Sequence, residues 1–320
     1  MFLSNSTDIK TQIKKFALAQ GFSKVGFSPC NPVAEELERI KLWFSDGFAG
    51  PLDYLSPERF FGHYNMFPNA KTAFAVFLPY ARPNAIPGKA FGSLKLSRYL
   101  WGPDYHRIVK SRLFTILEFL KKIVPGTEGC ICVDSSPIME RQLATQAGLG
   151  WQGKNTLLIA GKQGSWGFLG ILLLDIELEP DLPFEGNRCG TCMRCVDACP
   201  TGALKPFRLD CRRCLTTWNI ERENNSEKEI HLAISNTGWV AGCDICQEVC
   251  PWNSNPEWGD PNIWGGVSEL HTKPATDLQI TSSRWRKITE GTALRRIRHR
   301  HWISNIDIAL NYGNPDQNGD

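Results

Sequence analysis

Nine cysteines crowd into residues 189–250. The first four read C-G-T-C-M-R-C-V-D-A-C-P, from Cys189 to Pro200, a C-x2-C-x2-C-x3-C-P run. The last three read C-D-I-C-Q-E-V-C-P, from Cys243 to Pro251, the second half of the same pattern. Cys211 and Cys214 lie between them. Two intervening residues let successive thiolates grip neighbouring irons from one tight loop, and the proline turns the chain away. This spacing holds 4Fe–4S cubanes, and in two-cluster modules the fourth cysteine of a run ligates the other cluster. Zinc also uses C-x2-C pairs, but the C-x3-C-P endings disfavour it. Crossed ligation assigns Cys189, Cys192, Cys195 and Cys250 to one cluster. The other takes Cys199, Cys243 and Cys246, with either Cys211 or Cys214 as its fourth ligand. Paired cubanes form a wire for single electrons, so an electron-accepting centre is expected beside them.

The other chemistry-bearing residues admit two readings each. Asp134 follows an apolar stretch in CVDSSPIMERQLATQAGLGWQGKNT. A carboxylate at the C-terminal end of a strand is where α/β domains collect catalytic groups; equally, Asp134 or Ser136 could cap the next helix. Gly148, Gly150 and Gly153 permit close approach to a flat cofactor or serve as turn residues, and they form neither a Walker loop nor GxGxxG. In DYHRIV, His106 has the D-x-H of corrinoid lower-ligand motifs, but Val109 replaces the glycine, so a packing or surface histidine is the favoured reading. Cys30, Cys130 and Cys132 read as small buried hydrophobes, the last two on one face of a strand. SRWRK (283–287) and RRIRHRHW (295–302) place six arginines and two tryptophans within twenty residues. Such residues neutralise phosphates and stack on bases, or form the solvated face of an amphipathic helix.

The elements that position these groups follow from periodicity and punctuation. Helices are expected over Asp8–Gln20, over Val33–Asp46 behind an Asn31–Pro32 cap, from Pro103 to about Ile123, and over Pro137–Ala147. Strands are expected at Lys24–Ser28, Thr72–Tyr80, Gly129–Asp134, Lys154–Ala160 and Trp166–Glu177. This alternation predicts an α/β (α+β) domain over 1–180. DLPFEGNR (181–188) is a linker, and the cysteine module runs to 262, with a charged helical insert over Glu221–Ala233. A last helix is expected over Thr292–Tyr312 within a C-terminal segment, 263–320.

At 320 residues with 42% apolar content, the chain can bury a sizeable core. A formal charge of +3 leaves any nucleic-acid contact to a local patch. The first residues read as an amphipathic helix rather than a signal peptide, and no apolar run is long enough to span a membrane. Free thiols and clusters point to a reducing cytoplasm.

Together these motifs resemble the epoxyqueuosine reductases, cobalamin-dependent iron–sulfur enzymes that complete queuosine in tRNA. The resemblance covers SRYLWGPDYHRIVKSRL (97–113), VDSSPIMERQLATQAGLGWQGKNT (133–156), GSWGFLG (164–170), CGTCMRCVDACPTGAL (189–204), LDCRRCLTTWNIE (209–221), GCDICQEVCPWN (242–253) and LRRIRHRHWISNIDIALNYGN (294–314). It implies a nitroreductase-like corrinoid domain, a two-cluster ferredoxin-like module and a shortened HEAT-like helical segment. It implies base-off cob(II)alamin with two 4Fe–4S clusters, and it makes Cys214 the ligand and Cys211 a spare thiol. It makes Asp134 the proton donor and places the corrinoid against Asp134, Leu158, Leu169, Thr216 and Gly242, with Arg141 and Lys154 in support. The implied substrate is epoxyqueuosine in a tRNA anticodon loop, reached by Arg284, Arg286, Arg295 and Arg298. The implied electron donor is a ferredoxin or flavodoxin, and the implied state is a cytoplasmic monomer. The alternatives are a reductive dehalogenase-like corrinoid enzyme, and a ferredoxin-type electron carrier that would need neither corrinoid nor Asp134.

Overall fold

A computed structural model describes residues 6–31, 33–56, 66–81, 94–222, 228–264 and 275–311. Its centre is a four-stranded sheet. The strands are β1 (Lys24–Pro29), β2 (Thr72–Pro79), β4 (Gly129–Cys132) and β7 (Gly167–Leu174), in the order β1-β2-β7-β4. Every neighbouring pair is antiparallel. The domain is therefore mixed α and β around an antiparallel sheet, and Asp134 does not sit in the crevice of a parallel one.

The unbroken apolar run of β2 reflects burial on both faces, and all eight of its residues are buried. Phe74, Val76 and Leu78 face helices α1 (Ser6–Ala19) and α3 (Tyr105–Ile123), packing with Ile13, Val109 and Leu113. Ala73, Ala75 and Phe77 face α4 (Glu140–Gln146), packing with Leu143, Ala144 and Leu149. Helix α3 places Val109, Leu113, Ile116, Leu117 and Leu120 on its buried stripe, the spacing of one helical face. It begins one residue after Asp104, whose side chain caps it by accepting the His106 amide. Pro103 thus precedes the cap rather than opening the helix.

Other boundaries shift for local reasons. Helix α2 (Ala34–Ser45) is capped at Val33 without a side-chain bond, not at Asn31; Pro32 lies outside the described residues. Helix α4 starts at Glu140 behind Met139, which makes no side-chain cap, so neither Asp134 nor Ser136 caps it. The stretch expected as one strand over Lys154–Ala160 shrinks to β6 (Leu158–Ile159), paired with β5 (Trp151–Gln152). Gly150 and Gly153 serve that hairpin: a Cβ at Gly150 would lie 2.1 Å from the Ile159 carbonyl oxygen, and one at Gly153 2.6 Å from Ile159 Cδ1. Gly148 has φ +77° and lies against the Leu182 carbonyl. These three glycines are turn and packing residues.

The cysteine module carries two short matching helices, α5 (Arg194–Asp197) and α7 (Ile245–Glu248). The described part of the insert is α6 (Lys228–Thr237). The C-terminal segment is woven into the rest. Strand β3 (Lys95–Leu96) pairs in parallel with β10 (Trp239–Ala241). Leu94, Leu100, Val240, Trp285, Leu294, Trp302 and Ile306 share one core. The expected helix over 292–312 breaks into a 3-10 turn, Ala293–Arg296, and a helix whose described part is His299–Asn311. The break buries Ile297 and lets its carbonyl accept the Trp285 indole N–H at 3.1 Å.

Candidate active site

The thiols gather into two groups. Burial pushes Cys195 up, and the charges of Cys250, Cys189 and Cys192 push it further. Burial likewise raises Cys246, followed by the charges of Cys243, Cys214 and Cys199. Thiols that raise one another's pKa in this way are near neighbours. Cys211 is buried and set apart: its thiol is pushed up to about 12, first by burial and then by the charge of Cys214. Among the described residues no three His, Cys, Asp or Glu side chains close on a single ion. Two sets of soft thiolates suit multi-iron cores.

Each loop is tied to the domain that holds the four-stranded sheet. Lys154 Nζ donates to the carbonyls of Gly190, at 2.7 Å, and Cys192, at 3.0 Å, so it anchors the first cysteine loop. Asp244, between Cys243 and Cys246, accepts from Ser97 Oγ at 2.9 Å and from the Arg98 amide at 2.8 Å. Burial lifts the Asp244 pKa to about 6, against those hydrogen bonds. Gly242, with φ +68°, presses on Ser97; a Cβ there would lie 2.3 Å from Ser97 Oγ. Asn219 accepts the Gly242 amide and donates to its carbonyl, both at 2.9 Å.

Asp134 closes β4 with φ +54°, a conformation a non-glycine residue holds only under constraint. The constraint is Glu140, whose carboxylate accepts the Asp134 amide at 2.6 Å. Burial pushes the Glu140 pKa up to about 8, followed by the charge of Asp134. The Asp134 side chain is 59% exposed and faces open space. Its Oδ2 lies 3.0 Å from His106 Nε2, and His106 Nδ1 lies 2.8 Å from Asp104 Oδ1. Burial alone would raise Asp134, but the hydrogen bond and charge of His106, with Tyr105 and Arg296, bring it below the ordinary 3.8. Burial alone would lower His106, but Asp134 and Asp104 lift it above the ordinary 6.5. Tyr105 stacks on His106 at 4.1 Å and on Phe168 at 4.1 Å.

His106 is the candidate group that residue-by-residue reading misses. Its signal is the D-x-H spacing, which Val109 in place of glycine disguises as a failed metal motif. Both ring nitrogens face carboxylates.

Leu158 and Leu169 pack in the core layer that contains Cys132. The pairing of β4 with β7 ends at Cys132↔Ile171, two residues short of both Asp134 and Leu169. Thr216 and Gly242 lie apart from them on the cluster loops, where Thr216 hydrogen-bonds the Cys214 thiol. The segment 97–106 joins the two groups, since Ser97 meets Gly242 and the half-buried Tyr99 feels the charges of Asp244 and Asp134. Arg141 is exposed and reaches the Thr156 carbonyl. Gln142 buries both ends of its amide, and Asn155 its Nδ2, with no hydrogen-bond partner among the described residues. Buried amides are costly unpaired, and a cofactor rimmed with amide side chains, as a corrinoid is, supplies matching partners.

Arg284, Arg286, Arg295 and Arg298 are all exposed. Trp285 and Trp302 are not base-stacking residues: both are buried and stack on each other at 4.6 Å. Arg296 pairs with Glu221 and lies 5.6 Å above the Tyr54 ring. A cleft of about 600 Å³ lined by Asp53, Trp218, Glu221, Arg222, Arg296 and Arg298 opens beside it.

Two groups of thiols on loops that dock against a mixed α and β domain are the pattern of an iron–sulfur oxidoreductase. Residues 188–253 match the family described as 4Fe-4S double cluster binding domain, and residues 63–135 match Epoxyqueuosine reductase QueG, DUF1730. Epoxyqueuosine reductase of Prochlorococcus marinus is 33% identical over 313 residues, which cover 95% of this chain and 98% of that protein. The enzyme of Escherichia coli is 34% identical over 306 residues, covering 93% and 80%. The chain belongs to the epoxyqueuosine reductase family. Among solved structures, an epoxyqueuosine reductase with a tRNA-Tyr epoxyqueuosine-modified stem loop superposes with TM-score 0.85 at 25% identity, over 96% of this chain and 82% of that one. The Streptococcus thermophilus enzyme gives 0.80 at 28%, over 95% and 81%.

Proposed function

We propose that this protein reduces epoxyqueuosine in the anticodon loop of tRNA to queuosine. The observation that carries the reading is that the loop holding Cys243 and Cys246 is bonded, through Asp244, to the segment that leads into the Asp134–His106 pair. Electron delivery and proton delivery meet at one cleft. The balanced reaction removes the epoxide oxygen with two electrons and two protons, leaving the cyclopentene and water. A low-potential carrier of ferredoxin or flavodoxin type supplies the electrons.

In this reading Cys189, Cys192, Cys195 and Cys250 hold the outer cluster, and Cys199, Cys214, Cys243 and Cys246 the inner one. A corrinoid against Asp134, Leu158, Leu169, Thr216 and Gly242, with Gln142 and Asn155 available to its amides, supplies the strongly reducing chemistry that an unactivated epoxide needs. The protein's part is to orient the nucleoside and to protonate. Asp134 gives a proton to the departing oxygen, which would otherwise leave as an alkoxide. Arg284, Arg286, Arg295 and Arg298 face the tRNA phosphates. Residues 1–180 form the nitroreductase-like corrinoid domain, 181–262 the cluster module and 263–320 a HEAT-like helical segment of a monomeric, cytoplasmic enzyme.

The test is anaerobic turnover of an epoxyqueuosine-bearing stem loop by protein made with cobalamin, read by nucleoside mass. Queuosine formation is expected; an unchanged nucleoside with both cofactors loaded refutes the proposal.

A further inference from the structure

We infer that His106, backed by Asp104, is the proton store for Asp134 and delivers to it the proton taken by the departing epoxide oxygen. The inference rests on Asp134 as proton donor and adds where its proton is held.

The geometry places a proton between the two side chains. Asp104 Oδ1 lies 2.8 Å from Nδ1, so Nδ1 carries hydrogen and donates. Nε2 lies 3.0 Å from Asp134 Oδ2. A bare nitrogen lone pair facing a bare carboxylate would repel it. One proton therefore lies between them, as imidazolium donating to carboxylate or as carboxylic acid donating to imidazole. Asp104 cannot swing away, because the same oxygen accepts the His106 amide at 3.0 Å. The ring is 28% exposed under its stack with Tyr105, while the Asp134 carboxyl is 59% exposed. The proton leaves through Asp134.

The groups around the pair support this placement. On α3 are Asp104 and Tyr105; from β4 and α4 come Asp134 and Glu140; from the 98–100 turn comes Tyr99; from the C-terminal segment comes Arg296. Asp134 is held below, and His106 above, its ordinary value. A solitary Asp134 so placed would be empty near neutral pH, and the imidazole keeps the pair loaded.

In the reaction, the proton on the Nε2–Oδ2 line moves onto Asp134, and the acid passes it to the oxygen as a carbon–oxygen bond breaks. That leaves neutral His106 and the Asp134 carboxylate. Solvent reloads the pair for the second proton, with which water departs. The two electrons come from the low-potential carrier.

The test compares wild type, His106→Gln and Asp134→Asn as the cofactor-loaded enzyme on the epoxyqueuosine stem loop. Glutamine keeps an N–H for Asp134 but stores no charge. His106→Gln is expected to lower kcat ~10²-fold at neutral pH, with KM unchanged, and to recover as pH falls toward the carboxylate range. Wild-type kcat is expected to fall as pH rises through the raised imidazole pKa. Difference infrared spectra of histidine-labelled protein, wild type minus His106→Gln, are expected to show a protonated ring at neutral pH. A neutral ring there, an unchanged variant, or a loss equal at every pH overturns the store. Full turnover by Asp134→Asn would remove the donor itself, whereas an inactive Asp134→Asn beside a normal His106→Gln removes only the store.

Discussion

Replacing Asn219 with alanine probes the support of the second cysteine loop. Asn219 is wholly buried. Its Nδ2 donates to the carbonyls of Trp239, at 3.1 Å, and Gly242, at 2.9 Å, and its Oδ1 accepts the Gly242 amide at 2.9 Å. Gly242 adjoins Cys243, so these bonds set the second cysteine loop. Alanine removes three hydrogen bonds among buried partners, about 1 kcal/mol each, or ~3 kcal/mol in all. For a cooperative 320-residue unit, an unfolding entropy of ~2 cal/mol/K per residue converts this to a Tm lower by about 4–5 °C. Asn305→Ala loses bonds to the carbonyls of Asn219 and Val240 at 2.9 Å each, so it too is expected to lower Tm. The assay is anaerobic thermal unfolding by circular dichroism, alongside the visible cluster absorption, which should bleach earlier in Asn219→Ala. A Tm within ~1 °C of wild type for Asn219→Ala would refute the assignment of the loop's support to Asn219.

Iron analysis separates the two central cysteines: Cys211→Ser is expected to retain about eight irons per chain and Cys214→Ser to fall toward four; equal loss would contradict the grouping. Glu140 has a folded pKa of about 8 against an ordinary 4.5. The folded state therefore binds more protons between these values, and stability declines as pH rises from 4.5 to about 8. Glu140→Gln is expected to flatten the fall in Tm measured across that window, and an unchanged slope would count against burial as the cause. Arg286→Gln with Arg298→Gln is expected to weaken stem-loop binding and to reduce the slope of log affinity against log salt by about 0.7 for each phosphate no longer neutralised. A titration with an unaltered slope would move the RNA-binding surface elsewhere.

Much of this was legible because it is local. Ligand spacing in C-x2-C-x2-C-x3-C-P is a short-range code that needs no tertiary information. The run TAFAVFLP announced a strand, and the helix expected to end at about Ile123 does so. What escaped depends on pairings between distant segments. Helix–strand alternation does not tell an antiparallel sheet from a parallel one, since strand order is settled by pairs such as Thr72 with Leu174. Composition alone groups Trp285 and Trp302 with a basic–aromatic surface. Their indoles are instead satisfied by the Ile297 and Leu278 carbonyls, so they belong to the core while the arginines face out. His106 lies 28 residues from Asp134, and only the packing of α3 on β4 and β7 makes them partners.

The conformation of Asp134 shows why the acid is not a helix cap. A capping aspartate has extended backbone and spends its carboxylate on amides of the first turn. Asp134 has φ +54°, its amide is held by Glu140 from the following helix, and α4 opens without a side-chain cap. The helix thus serves the aspartate, and the carboxylate stays free for His106 and the cleft. The strain of that backbone, of order 1–3 kcal/mol, is opposed by the hydrogen bond to the Glu140 carboxyl, worth about 1 kcal/mol. On the other side of the segment 97–106, Asp244 anchors the cysteine loop through Ser97 and Arg98. A single short stretch of chain therefore carries the proton site on one flank and the electron site on the other, and displacing it would disturb both deliveries together.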